Sequence, residues 1–219
     1  MIDIFVGYDE REAVAYHTFC QSVIDNTMAP VRFTPLVAHG INGQKDGSNS
    51  FIYSRFLVPY LMGYKGWAIF ADGDMVVNTD ITELWRLRDE NYALQVVKHD
   101  YKTKHSVKYL GNKNEDYPRK NWSSLMLWNC EHEAHRHLKP ELIEELDGKY
   151  LHRFEWLKDN EIGSLPLYWN WLAMEYPANQ YAKLIHYTIG TPCFANYKDC
   201  DMSEFWWSYH AASQHGIGD

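Results

Sequence analysis

The chain has 219 residues, a formal net charge of -8 and 46% hydrophobic residues, and its acidic balance without a basic stripe argues against a nucleic-acid partner. No apolar run approaches the roughly 20 residues that span a bilayer, and the N-terminus lacks the basic region of a signal peptide. We therefore expect one domain over residues 1–219, with no transmembrane segment and a cytoplasmic location.

Strands and helices are predicted to alternate along the chain. Pro35 would suit a second strand at a sheet edge or a bulge. The first helix is expected to carry Ala13, His17, Cys20, Val23 and Ile24 on one face. A polar stretch over residues 100–121 is predicted to be a loop over the site. The strands are expected at residues 2–6, 31–37, 66–77, 93–97, 124–128 and 184–187, and the helices at residues 10–24, 80–87, 140–146 and from Ser50 to Leu61. Pro59 is expected to kink or shorten the last of these helices. This alternation predicts an α/β fold whose ligands bind at the carboxyl ends of parallel strands.

The most informative stretch is the apolar run at residues 66–77, which is interrupted by Asp72-Gly73-Asp74. A short run rich in β-branched and aromatic residues predicts a buried strand. Because strand side chains alternate between faces, Asp72 and Asp74 are expected to point the same way from its end. Paired carboxylates repel each other unless a cation lies between them, which predicts a site for a divalent metal.

Two enzyme classes place such a pair at the end of a buried strand. Phosphatases of the haloacid-dehalogenase type use Asp-x-Asp-x-Thr/Val, and residues 72–76 satisfy that pattern. Asp72 would then be the nucleophile and Asp74 the general acid. In those enzymes, however, the motif normally opens the chain, and no later Asp-Asp pair follows it here. The alternative is a metal-dependent glycosyltransferase.

Sequence blocks along the chain form a recognisable set, which is Ile4-Phe-Val-Gly-Tyr-Asp9, Tyr53-Ser-Arg55, Asp72-Gly-Asp74, Asp80-Ile-Thr-Glu-Leu-Trp85, Trp122 to Asn129, Asp159-Asn-Glu161, Leu165 to Asn170, and His186-Tyr-Thr-Ile-Gly190. In these blocks the chain resembles glycosyltransferase family 8, the family of glycogenin and the lipopolysaccharide galactosyltransferases. The resemblance implies a GT-A (nucleotide-diphospho-sugar transferase) fold, with a Rossmann-like, mostly parallel mixed sheet flanked by helices.

The resemblance also implies a metal site and a reaction. Asp72, Asp74 and His186 would hold Mn²⁺, with Mg²⁺ as the alternative, since a mixed carboxylate and imidazole set favours Mn²⁺. The enzyme would move a hexose or deoxyhexose from a nucleotide-sugar donor, most simply a UDP-sugar, to a saccharide or glycoconjugate acceptor, with retention of configuration. A non-catalytic sugar-binding relative is the alternative from another class.

Further positions follow from the same resemblance. Asp159 and Asn160 would stand next to the reacting face of the sugar. The donor would contact residues of several blocks, which are Val6, Tyr8, Asp9, Arg55, Gly73, Asp100, Ser123 and Gly190.

One departure from the family pattern concerns the leaving group. The late family motif usually carries a lysine that holds the departing diphosphate, but residues 186–194 contain none. Either Lys198 or the metal alone would have to stabilise the departing diphosphate.

Overall fold

The computed structural model describes residues 1–37 and 52–214. The strands are β1 (Ile2–Gly7), β2 (Val31–Leu36), β3 (Trp67–Ala71), β4 (Met75–Val77), β5 (Leu94–Val96), β6 (Leu125–Asn129), β7 (Ile162–Ser164), β8 (Trp171–Leu172) and β9 (Leu184–His186). The α-helices are α1 (Ala13–Asn26), α2 (Val58–Leu61), α3 (Thr82–Trp85), α4 (Pro140–Glu145), α5 (Gly148–His152) and α6 (Ser203–Ser213). In this part of the chain, no helix is long and apolar enough to cross a membrane.

The central sheet is mixed but mostly parallel, as the sequence predicts. Its six strands lie in the order β2-β1-β3-β6-β5-β7, and β6 runs against the other five. The carboxyl ends of β1, β3 and β5 therefore meet at one edge, where the reversed strand β6 begins. This edge collects the end of β3 at Ala71 and the residues before β6, Ser123 and Ser124.

A second, three-stranded sheet contains the part of the apolar run that follows Asp72 and Asp74. After the turn at residues 72–74, the chain continues as β4 and joins a sheet of order β4-β9-β8. Strand β4 pairs antiparallel with β9, so that Met75 lies opposite His186. The pairing brings His186 next to Asp74, from which it is separated by more than one hundred residues of sequence.

Several local predictions can now be compared with the structure. Strand β2, which contains Pro35, does lie at the sheet edge. The predicted face of the first helix is only partly correct: Val23 is buried, but His17 is exposed and Ile24 is 52% exposed. The helix also buries Ala15 and Phe19. The helix predicted from Ser50 is broken into a 3-10 turn at Ser54–Leu57 and the single turn of α2. Ser50 itself lies outside the described residues.

An apolar cluster joins α6 to the second sheet. It packs Trp206 of α6 against Val76, Ile185 and Tyr187, which are neighbours of Asp74 and His186 in the chain. The hydroxyl of Tyr187 donates a hydrogen bond to the backbone oxygen of Met202 at 2.8 Å. The positions of the site residues in β4 and β9 therefore depend on the docking of α6.

The adjacent tryptophans of α6 provide a matched test of this packing. Trp206 is fully buried, whereas Trp207 is 39% exposed. Trp206→Ala is expected to lower the free energy of unfolding by about 3–5 kcal/mol, and Trp207→Ala by only about 1 kcal/mol. Chemical denaturation measures both values. Equal losses in the two variants would contradict the assignment of Trp206 to the core.

Candidate active site

The turn at Asp72-Gly73-Asp74 is pressed against the end of β1. A Cβ atom at Gly73 would lie 2.4 Å from the backbone oxygen of Gly7, a separation that no side chain can adopt. The backbone N–H of Asp72 donates to the oxygen of Ser124 at 2.9 Å. Only glycine fits between the two aspartates, and the turn is held from both sides. The two carboxylates are thereby fixed at the carboxyl edge of the central sheet.

Asn170 fixes the orientation of the His186 ring. Its Nδ2 donates to Ser124 Oγ at 2.8 Å and faces the backbone oxygen of Asn121 at 3.5 Å. Because a carbonyl oxygen can only accept, Oδ1 of Asn170 must be the atom that faces His186 Nδ1, at 3.1 Å. Nδ1 therefore carries the proton in the neutral ring, and Nε2 presents its lone pair toward Asp74 Oδ1 at 3.3 Å.

Arg55 holds the other carboxylate. Its Nη1 lies 3.0 Å from Asp72 Oδ1 and donates to the backbone oxygen of Ser123 at 2.9 Å, and its guanidinium packs over the ring of Phe70. Burial raises the pKa of Asp72 to about 6, although Arg55 opposes the shift. For Asp74 burial acts in the same direction, but the charge and hydrogen bond of a protonated His186 ring, together with the charge of Lys108, outweigh it and the pKa of Asp74 is lowered.

These three side chains have the geometry and the chemistry of a metal site. Ligand atoms of Asp72, Asp74 and His186 all lie within 4.8 Å of one another. Oδ1 of Asp72 and Oδ1 of Asp74 are both buried, and neither accepts a hydrogen bond from the described residues, although Arg55 Nη1 and His186 Nε2 lie 3.0 Å and 3.3 Å from them. Two buried carboxylates are costly unless cations balance their charge, and Arg55 supplies only one positive charge. Two oxygens and one imidazole nitrogen suit a divalent ion, and the hydrogen bond from His186 to Asn170 is the usual support of such a ligand.

A cavity of about 240 Å³ opens beside this cluster. Five of the residues expected from the sequence line it, which are Arg55, Asp72, Asp74, Ser123 and His186. The loop over residues 100–121 supplies much of the remaining wall, including Lys108, Tyr109 and Asn114. The sequence-based expectation that this loop covers the site therefore agrees with the structure.

Other expected residues lie outside the lining of this cavity. Asp9 is the N-cap of the turn that precedes α1, where its Oδ1 accepts from the Arg11 backbone N–H at 3.0 Å. Asp159 is 90% exposed and pairs with Arg119. The remaining expected residues that do not line the cavity are Val6, Tyr8, Gly73, Asp100, Asn160 and Gly190.

Sequence reasoning did not single out several residues of the site. Asn170 stands at the end of a matching block, but nothing local indicated that its amide would meet His186. His152, the last residue of α5, lines the cavity, and its Nδ1 lies 2.6 Å from Ser123 Oγ. Glu12 is buried near the carboxylates and accepts a hydrogen bond from Thr191 Oγ1 at 2.9 Å. Burial and the proximity of Asp74 raise its pKa to about 8.

The sequence of the chain is similar to a known protein family and to a plant protein. The model of the family "Glycosyl transferase family 8" matches residues 12–192. Protein CDI of Arabidopsis thaliana is 42% identical over 217 residues, an alignment that spans 93% of this chain and 83% of that protein.

Solved structures resemble the chain in fold at low sequence identity. The galactosyltransferase LgtC in complex with donor and acceptor sugar analogues has a TM-score of 0.61 at 14% identity, with 96% of each chain covered. The glycosyltransferase GlyE of Streptococcus pneumoniae TIGR4 has a TM-score of 0.65 at 13% identity, and the bifunctional glycosyltransferase WbbM has a TM-score of 0.61 at 16% identity. In each case 96% of this chain is covered, but it spans only 61% of GlyE and 49% of WbbM.

The role of Asn170 can be tested by metal binding. Asn170→Ala removes the acceptor that orients His186 and is expected to weaken Mn²⁺ binding by about 10- to 100-fold, as measured by calorimetry. Asn26→Ala is the matched control, because that amide also joins buried groups but contacts neither aspartate nor His186. Equal Mn²⁺ affinities in the parent and Asn170→Ala would contradict the role.

Glu12 makes stability depend on pH in a defined direction. The Glu12 carboxyl binds its proton more tightly in the folded protein than in the unfolded chain. Protonation of Glu12 therefore stabilises the fold fully below the ordinary pKa of 4.5, and this stabilisation is lost as the pH rises through about 8. Glu12→Gln keeps an acceptor for Thr191 and removes the titration. Between pH 5 and pH 8, we expect the melting temperature of Glu12→Gln to fall less than that of the parent.

The matched control is the exposed neighbour Glu10. Glu10→Gln is expected to follow the parent at every pH, with Tm measured by calorimetry. Parallel curves for the parent and Glu12→Gln would show that Glu12 does not titrate in this window.

Proposed function

The chain belongs to glycosyl transferase family 8, and from this premise we propose that it transfers a sugar from a UDP-sugar to a saccharide or glycoconjugate acceptor. The transferred group would be a hexose or deoxyhexose, and the configuration would be retained, as the resemblance to the family implies. Membership of the family and the GT-A fold of the structural neighbours decide against the phosphatase alternative.

The observation that carries the proposal is the cluster of Asp72, Asp74 and His186 in the wall of the cavity. We propose Mn²⁺ as the bound ion, with Mg²⁺ as the alternative, because the imidazole makes the donor set softer than the all-oxygen shell that Mg²⁺ prefers. When bound, the ion neutralises negative charge on the donor diphosphate as the glycosidic bond breaks.

The chain's own residues would hold this site in one geometry. Asn170 keeps the Nε2 lone pair of His186 directed at the carboxylates, and Arg55 keeps Asp72 ionised and in place. Neither group has to move during the reaction, so the site is preorganised. The buried position of the carboxylates also limits competition from water, which strengthens their interaction with a cation.

The donor sugar is proposed to contact Ser123 and Arg55 in the same cavity. The hydroxyl of Ser123 lies against His152, whose Nε2 is buried and has no hydrogen-bond partner among the described residues. Burial lowers the pKa of His152 to about 3, so its ring is neutral at pH 7. A neutral imidazole and a hydroxyl can each donate a hydrogen bond to a sugar hydroxyl or accept one from it, and neither adds charge to the cavity.

The other roles implied by the family resemblance stay predictions. Val6, Tyr8 and Asp9 are predicted to contact the nucleoside. Gly73, Asp100 and Gly190 are predicted to contact the donor. Asp159 and Asn160 are predicted to lie next to the reacting face of the sugar. A single domain over residues 1–219 and a cytoplasmic location are also predictions. The acceptor is assigned only by class.

Donor binding tests the proposed function. With Mn²⁺ present, the parent protein is expected to bind a UDP-sugar from a screened panel and to release UDP slowly in water. Asp74→Asn is expected to weaken that binding by about tenfold or more, because it removes a charged metal ligand. Calorimetry measures the affinity, and a coupled assay measures the UDP.

Asp201→Asn is the matched control, since Asp201 is exposed and does not line the cavity. Equal binding by the parent and Asp74→Asn would contradict the metal-dependent mechanism. Tight binding of the sugar alone, without Mn²⁺ or nucleotide, would favour the non-catalytic sugar-binding alternative.

A further inference from the structure

Lys108 places an ammonium group in the wall of the cavity. It lines the same space as Asp72 and Asp74, and its Nζ makes no hydrogen bond or ion pair with any described residue. Burial lowers the pKa of Lys108, while the charges of Asp74 and Asp72 oppose that shift. A partly buried cation without a direct partner is costly, which indicates that its partner is a ligand.

Charge balance in the loaded site indicates which ligand. A divalent ion on Asp72 and Asp74 would neutralise the carboxylates that now attract Lys108. The ammonium would then lose the attraction that these carboxylates now exert on it and would need another anionic partner. A multiply charged anion in the cavity can pair with the ammonium and with the divalent ion at the same time. A diphosphate has the charge and the oxygen atoms to do so.

The segment that carries Lys108 is a short hairpin with a defined turn. Val107 and Lys113 form an antiparallel bridge, and the Lys108 N–H donates to the oxygen of Asn112 at 2.8 Å. Leu110 and Gly111 close the turn with φ of 57° and 73°, both in the left-handed region. The side chain of Lys108 is therefore presented from an ordered backbone.

This hairpin is docked on the segment that follows His186. The Tyr109 N–H donates to the oxygen of Ile189 at 2.8 Å, and the Tyr109 ring stacks on Phe194 with centroids 5.2 Å apart. Lys108 and the metal ligand are thus held by one continuous set of contacts. Lys198, the lysine that follows this segment, is 65% exposed at its side chain and pairs with Asp199.

We propose that Lys108 binds the donor diphosphate and stabilises it as the leaving group. The inference rests on the proposed function. In the transfer, the bond from the anomeric carbon to the β-phosphate oxygen breaks, and its electron pair stays on that oxygen. The acceptor hydroxyl forms the new bond to the same carbon, and its proton passes to the released diphosphate. Lys108 donates a hydrogen bond to the diphosphate and keeps its own proton throughout.

Titration with Mn²⁺-pyrophosphate and with Mn²⁺-UDP tests this assignment. Lys108→Met keeps the aliphatic stem and removes the charge, so both ligands are expected to bind about 10- to 100-fold more weakly. Lys108→Arg is expected to recover most of the affinity. Lys102→Met, an exposed position in the same loop, is the matched control and is expected to bind like the parent.

A second titration separates a direct contact from a disturbed loop. Mn²⁺ alone is expected to bind Lys108→Met at least as tightly as the parent, because a positive charge near the ion has been removed. Weaker binding of both Mn²⁺ and Mn²⁺-pyrophosphate would indicate collapse of the site and would overturn the assignment. Unchanged binding of Mn²⁺-pyrophosphate and Mn²⁺-UDP would also overturn it while leaving the proposed function intact. If the parent bound neither ligand, the proposed function itself would fail.

Discussion

The site depends on a single constraint, which is the confinement of two carboxylates and one imidazole in a small buried volume. Asp72 and Asp74 come from one tight turn, and His186 is delivered by the antiparallel pairing of β4 with β9. Like charges held this close oppose folding unless cations compensate them. Arg55 compensates part of the charge on Asp72. The negative charge that Arg55 leaves unbalanced explains why the site is suited to a metal ion.

The fold meets this constraint by combining two sheets. The mostly parallel sheet brings β1, β3 and β5 to a common edge, and the reversed strand β6 starts there with Ser123 and Ser124. The small sheet then turns the chain back so that Met75 pairs with His186. Gly73 makes the change of sheet possible, because its backbone passes against Gly7 with no room for a side chain.

Much of this arrangement was accessible from the sequence, and the limits have physical reasons. The apolar run that ends in Asp72 and Asp74 predicted a buried strand and its carboxylates, because strand periodicity is a local property. His186 was predicted from its place in a family pattern and not from spacing.

The sequence did not predict the roles of Asn170 and Lys108, because both arise from long-range contacts. Asn170 contacts His186, and Lys108 lines the same cavity as the carboxylates. The predicted face of α1 was wrong at His17 and Ile24 because α6 and β4 also pack against this helix and determine which side is buried. The hairpin at residues 107–113 shows no apolar periodicity, so only the structure could reveal its docking on Ile189.

The central claim is that Asp72, Asp74 and His186 bind one divalent ion in the wall of the cavity. Pulsed electron paramagnetic resonance of the Mn²⁺-loaded protein tests it directly, since coupling to a histidine nitrogen identifies an imidazole ligand. The account predicts one bound Mn²⁺ with one histidine nitrogen, and loss of that coupling in His186→Ala. A bound Mn²⁺ without nitrogen coupling, or with a coupling that persists in His186→Ala, would contradict it.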